Sequence, residues 1–131
     1  GEQLNFRFII ETPEDGAVGI ATLTEIDWKN RNALHGVKIA SNAKRNKGIG
    51  TDTVMAIMRY AFDELGLHRL NGGFFEDNYS SRSLYKKCGW QDEGCLREYI
   101  FKRGEWRNWI QTGILEQDYR KLIEITHYWD T

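Results

Sequence analysis

Cysteine and proline are scarce in this chain, with two of the first and one of the second among 131 residues. Cys88 and Cys95 have neither a metal-ligand spacing nor the Cys-x-x-Cys redox spacing. That excludes a disulfide scaffold and a cysteine-based metal site, and leaves two thiols packed inside a protein of the reducing cytoplasm. An excess of one charge is also missing. Lysine and arginine total 18 against 19 acidic residues, a net charge of -1, which argues against nucleic acid as the main partner. No apolar run reaches the ~18 residues that span a bilayer and no signal peptide opens the chain, so no membrane association is expected. Internal repeats, low-complexity stretches and linkers are absent too. What remains is 40% hydrophobic and 13% aromatic residues, enough for one globular domain over 1–131 and too short for two.

Apolar periodicity divides the chain into elements. Residues 4–10 alternate as a half-buried strand, and residues 11–16 form a turn holding Pro13, the one proline. Residues 17–25 form a second strand paired to the first as a hairpin. A polar loop over 27–32 leads to a third strand, 33–40. Val54, Ile57, Met58, Ala61, Phe62 and Leu65 recur at helical steps, and Gly66 is placed to end that helix. Residues 68–75 form a strand in which Asn71-Gly72-Gly73 weakens regular packing. A short helix over 80–87 closes at Gly89. Strands over 96–102 and 106–115 and a helix over 116–129 follow, the helix turning Tyr119, Leu122, Ile123 and Thr126 inward. This order predicts an α/β sheet of mixed direction, with parallel neighbours and a right-handed crossover around 33–75.

The stretch Ser41-Asn42-Ala43-Lys44-Arg45-Asn46-Lys47-Gly48-Ile49-Gly50-Thr51 sits between the third strand and the first helix. A basic, glycine-containing turn at a helix start suits phosphate, because the first-turn N–H groups lack intrahelical partners and the helix dipole favours an anion. A Walker A loop would need lysine after the second glycine, whereas Lys47 precedes Gly48. The dinucleotide fingerprint would need a third glycine at position 53, which is Thr53. The pattern present is Arg/Gln-x-x-Gly-x-Gly/Ala, as Arg45-Asn46-Lys47-Gly48-Ile49-Gly50. The same residues would also serve as a polar turn capping an amphipathic helix.

That hexapeptide resembles the pyrophosphate loop of the GNAT superfamily of acyl-CoA-dependent N-acyltransferases. A second segment, Asn78-Tyr79-Ser80-Ser81-Arg82-Ser83-Leu84-Tyr85-Lys86-Lys87-Cys88-Gly89-Trp90, resembles the family's Asn-x-x-Ser/Ala-x-x-x-Tyr-x-x-x-Gly-Phe, with Trp90 for phenylalanine. Tyr60-Ala61-Phe62, Leu65-Gly66-Leu67-His68-Arg69, Glu93-Gly94 and Leu96-Arg97 add matches. Together they are similar to the branch holding ribosomal-protein N-terminal and spermidine acetyltransferases, over residues 5 to about 120. The resemblance implies a mostly antiparallel sheet with a splayed parallel central strand pair and flanking helices. Family members carry a strand and one or two helices ahead of the strand placed at 4–10; here three residues precede it, so the chain corresponds to the acyl-CoA half of the fold.

The resemblance also implies roles. Acetyl-CoA would lie with its pantetheine arm on the backbone of Ile39 and Ala40 and its pyrophosphate on the N–H groups of Asn46, Lys47, Gly48, Ile49, Gly50 and Thr51, beside Arg45. Tyr85 matches the general acid, or else a tyrosine packed on a short helix. Asn78 would hold the pantetheine or the strand end, or else cap the helix. His35 stands roughly where relatives carry a glutamate base, or is a strand histidine bonded to a neighbour; Glu25, Asp27 and Glu76 are rivals. His68 and His127 are structural or exposed, and Trp106 and Trp109 pack. The expected reaction is acetyl transfer to a primary amine, a small amine or a peptide N-terminus. The alternative is an acyl-CoA-binding module that needs a partner to complete its acceptor site. A homodimer is expected, with Phe6, Phe8 and Ile20 short of cover and the end from Tyr119 to Trp129 adding to the contact.

Overall fold

The computed structural model describes residues 5–40 and 48–130. Its strands follow the alternation in the sequence: β1 (Phe6–Thr12), β2 (Gly16–Asp27), β3 (Asn32–Ile39), β4 (Arg69–Phe75), β5 (Gln91–Lys102) and β6 (Glu105–Leu115). The helices are α1 (Ile49–Arg59), continued by a π-helical turn (Tyr60–Glu64), α2 (Tyr79–Lys87) and α3 (Glu116–Thr126). The hydrogen-bonded strand order is β1-β2-β3-β4-β6-β5, mostly antiparallel with one parallel pair. The chain divides into two compact units, Gly1–Leu70 and Asn71–Thr131.

In the first unit β1, β2 and β3 form an antiparallel meander. Its register puts Phe6, Leu23 and His35 in one cross-strand row and Phe8, Ala21 and Val37 in the next. Because strand side chains alternate faces, these rows line one side of the meander. Leu23, Ala21 and His35 are buried there. Tyr60 covers Phe6 and Phe8, its ring 5.6 and 5.5 Å from theirs in edge-to-face contact. The opposite face carries Arg7, Thr22 and Gly36 in one row and Ile9, Ile20 and Lys38 in the next. A concavity of about 830 Å³ lies over it, and Ile9 is 57% exposed. Phe6 and Phe8 are therefore partnered, contrary to expectation; Ile9 is the exposed apolar residue of the opposite face, with the half-buried Ile20 beside it.

A regular helix to Leu65 was expected, but the last turn is widened. Leu65 N–H reaches back to the Tyr60 carbonyl at 3.1 Å and Leu67 N–H to that of Ala61 at 3.0 Å, with Gly66 at φ +66°. The extra residue in the turn sets Tyr60 on the two phenylalanines while Ala61 and Phe62 stay buried.

In the second unit β6 pairs antiparallel with β5, with breaks in register between Asp92 and Gly94 and between Leu96 and Ile100. The glycine pair of β4 tightens packing where weakening was expected. A Cβ on Gly73 would run into the Trp109 indole, and one on Gly72 would press on Trp90 and Thr112. The missing side chains let two indoles lie against the strand. On α3, Tyr119 is buried and Trp129 Nε1–H donates to its hydroxyl at 2.8 Å, so those two aromatics are engaged within the unit. Thr126 is exposed, not inward. Cys88 is buried as expected, while Cys95 is exposed.

Candidate active site

In the first unit the turn into α1 keeps an open backbone. Gly48 occupies the N-cap at φ +125°, a conformation only glycine holds without strain, and a Cβ there would meet nothing within 4 Å. No side chain caps the helix among the described residues, and Asp52 N–H is the one that returns to the Gly48 carbonyl, at 2.7 Å. Gly48, Ile49, Gly50 and Thr51 thus present a first helical turn, approachable at its glycine, that fits a phosphate group. Residues 41–47, with Arg45, Asn46 and Lys47, lie outside the described residues.

The two strand residues expected to hold the pantetheine differ. Ala40 N–H donates to the Val18 carbonyl at 2.7 Å, so that amide is engaged inside the meander. Ile39 faces Gly19 at the next position, where the alternation of an antiparallel ladder turns its N–H and C=O away from β2.

His35 lies in the interior. Its ring is on the inner face of β3 beside Leu23, 3% exposed, and burial pushes its pKa down to about 4. Desolvation penalises the imidazolium, so the ring stays neutral in the interior. Among its rivals, Asp27 accepts from Asn30 N–H at 2.9 Å and Asn30 Nδ2 at 2.8 Å, which ties it to the turn and holds its carboxyl below the usual range. Glu25 stands at φ +50° within the break in register of β2.

The second motif becomes a capped helix. Asn78 is the N-cap of α2, its Oδ1 accepting from Ser81 N–H at 3.0 Å, so the capping role is the one its side chain performs here. At the other end Trp90 N–H reaches the Tyr85 carbonyl at 3.0 Å and Gly89 N–H that of Lys86 at 3.1 Å, with Gly89 at φ +88°. This is a Schellman closure, in which the residue after the glycine packs back on the last turn. Trp90 does so, its ring 4.8 Å from that of Tyr85, and Phe74 of β4 stacks on Tyr85 at 6.1 Å. The Tyr-x-x-x-Gly-aromatic spacing therefore builds the pocket that holds the phenol. Tyr85 is 5% exposed, and burial, helped by Cys88, pushes its pKa up to about 12. It keeps its proton at neutral pH, the form a general acid must hold before transfer, while the same burial weakens it as a donor.

Beyond the end of β4, Glu76, Asp77, Tyr79, Glu98, Glu105, Trp106, Arg107 and Asn108 line a recess of about 420 Å³. Arg107 pairs with Asp77 at 2.6 Å. Tyr79 and Trp106 are 73% and 60% exposed, and Trp106, expected to pack, touches Phe101 at the hairpin end while Trp109 packs on Phe75 at 5.3 Å. Acidic groups beside exposed aromatic faces suit a cation. Of these, Glu76 was visible in sequence as a rival base. Glu98 and Asn108 were not, since they reach the recess through a break in strand register that periodicity does not reveal.

Residues 2–110 match the model of the acetyltransferase (GNAT) domain. The chain belongs to the GNAT acetyltransferase family. Among curated relatives it is 35% identical over 89 residues to an uncharacterized N-acetyltransferase, YoaA, of Bacillus subtilis, covering 68% of this chain and 48% of the relative. The chain spans 61–68% of the next curated relatives' length. The spermidine N-acetyltransferase of Vibrio cholerae, solved in complex with CoA and spermine, superposes with a TM-score of 0.82 at 28% identity, over 88% of this chain and 68% of that one. A dodecameric structure of the V. cholerae enzyme gives 0.81 at 28% identity, over 88% and 67%. No helix among the described residues is long and apolar enough to cross a membrane.

Proposed function

We propose that this GNAT domain moves an acetyl group from acetyl-CoA to a primary amine of a cationic acceptor, a polyamine or a peptide N-terminus. The observation that carries the reading is Tyr85, a phenol kept protonated in an aromatic pocket that the family motif itself builds. Bound acetyl-CoA supplies the acetyl group activated as a thioester. The chain's residues then have three tasks. The first turn of α1, from Gly48 to Thr51, holds the pyrophosphate with Arg45 and Lys47, and the outward amide of Ile39 takes the pantetheine. Glu76, on the recess, accepts the proton that the attacking amine must lose, in place of the buried His35. Tyr85 Oη–H donates its proton to the departing sulfur.

The acidic, aromatic recess favours an acceptor with more than one positive charge, as does the spermine bound by the V. cholerae enzyme. Two free thiols suit a reducing cytoplasm. Association into a homodimer through the open Ile9 and Ile20 face is part of the same proposal; light scattering at tens of micromolar should give a discrete dimer mass, and a monomer mass would reject it.

The test is thiol release from acetyl-CoA with polyamines, aminoglycosides and peptides, alongside calorimetry of CoA. Turnover with a polycationic amine is expected. Tight CoA binding without turnover on any amine would replace the enzyme by an acyl-CoA-binding module, and no CoA binding would overturn the reading altogether.

A further inference from the structure

Asn108 of β6 joins three segments at the edge of the recess. Its Nδ2 donates to Glu76 Oε2 at 2.8 Å, its Oδ1 accepts from Glu98 N–H at 2.8 Å, and its carbonyl accepts from Glu76 N–H at 3.1 Å. The amide has one orientation that satisfies both side-chain bonds. A backbone N–H can donate only to the oxygen, and a carboxylate accepts only from the nitrogen. Glu98 stands at φ +49° inside the break in register between Leu96 and Ile100, so the bulge in β5 supplies the N–H that orients the amide. Asparagine is required by this geometry: aspartate would keep the bond to Glu98 but turn an acceptor and a charge towards Glu76.

We infer that Asn108 is a positioning residue for the proton-accepting carboxylate, aiming Glu76 into the recess. The inference rests on the role proposed for Glu76. Other groups around this carboxylate are Asp77 beside it, Arg82 of α2 on its carbonyl at 3.4 Å, and Cys95 of β5, whose S–H reaches Oε2 at 3.7 Å. Glu98 of β5 and Glu105 and Arg107 of β6 line the same recess, Arg107 being engaged with Asp77. The short bond from Asn108 is the one that a single substitution can invert.

In Asn108→Asp the bulge bond survives and the donor is lost. Turnover at pH 7 should fall roughly tenfold, the scale of one hydrogen bond to a charged group. The acidic limb of the rate profile should move to higher pH while the KM for acetyl-CoA stays within about twofold. In the free protein, the carbon-13 titration of the Glu76 carboxyl should move to higher pH as well. Asn108→Ser, which can still donate but lacks the reach, gives a second variant should the aspartate fail to fold; the same titration should move upward, by less. Equal losses of turnover in both variants, with the acidic limb and the carbon-13 titration unmoved, would reduce Asn108 to a structural clamp and overturn the inference. If Glu76→Gln leaves turnover intact while the carbon-13 titration still moves in Asn108→Asp, the proposed base is wrong and the positioning contact stands.

Discussion

On the inner face of β3, His35 is surrounded by the meander's core, and on α2 Tyr85 lies between Phe74 and Trp90. Both side chains are almost wholly buried, and burial is the largest cause of both pKa shifts. The directions are opposite, to about 4 for the imidazole and about 12 for the phenol. Desolvation penalises whichever form carries charge: the protonated form of histidine and the deprotonated form of tyrosine. The same desolvation leaves His35 in its proton-accepting form and Tyr85 in its proton-donating form, and weakens the one as a base and the other as an acid.

Opening the pocket around Tyr85 would break the comparison most severely. Trp90→Ala removes the ring that closes α2, and a buried tryptophan truncated to alanine costs about 3–5 kcal/mol, readable by denaturant melting. Solvent should also reach the phenol, and a difference-spectrum titration should show Tyr85 ionising nearer the ordinary tyrosine range. Next in size is Glu76→Gln, which removes the carboxylate proposed to replace His35. Turnover should drop roughly a hundredfold, the lower end of general-base help, with CoA affinity unchanged in calorimetry. Gly48→Asp tests the other unit: a strained backbone at φ +125° and a negative charge against pyrophosphate should weaken CoA roughly tenfold or more. Circular dichroism should remain that of the parent.

His35→Gln should change activity least, by less than about twofold, and leave the pH–rate profile in place. Its effect belongs to stability. A histidine with a folded pKa near 4 takes up its proton more readily when unfolded, so its penalty is absent above the unfolded value near 6.5. Stability is then lost as pH falls from 6.5 towards 4, by roughly 3 kcal/mol at the full shift. Melts of the parent should show that slope, and melts of His35→Gln should lack it. A pH–rate profile altered by this substitution would return the base to β3.

Much of the fold was legible because periodicity reports burial directly. Phe6, Phe8 and Ile10 alternate, Val54, Ile57 and Met58 recur at helical steps, and these became the faces expected of them. Gly89 and Trp90 were legible as a motif, and their hydrogen bonds supply its physical reason. Other features depended on contacts between residues far apart in sequence. Gly72 and Gly73 read as weak points until Trp90 and Trp109 were seen to fill the space beside them. The outer face of Ile9 and Ile20 was confused with that of Phe6 and Phe8 because Tyr60, through a π-helical turn, lies more than fifty residues away from both phenylalanines. The bonds from Ala40 N–H to Val18 and from Asn108 to Glu76 join residues that composition does not bring together.

Tyr85→Phe is measured as turnover of acetyl-CoA with an accepted amine and as acetyl-CoA affinity by calorimetry. Only the hydroxyl is removed, so the aromatic pocket and the cap of α2 stay intact. A general acid contributes roughly 10²- to 10⁴-fold, and the expected result is a loss of turnover in that range with affinity within about twofold of the parent. Turnover reduced by less than about threefold would contradict the central claim and leave Tyr85 as the packed core of α2.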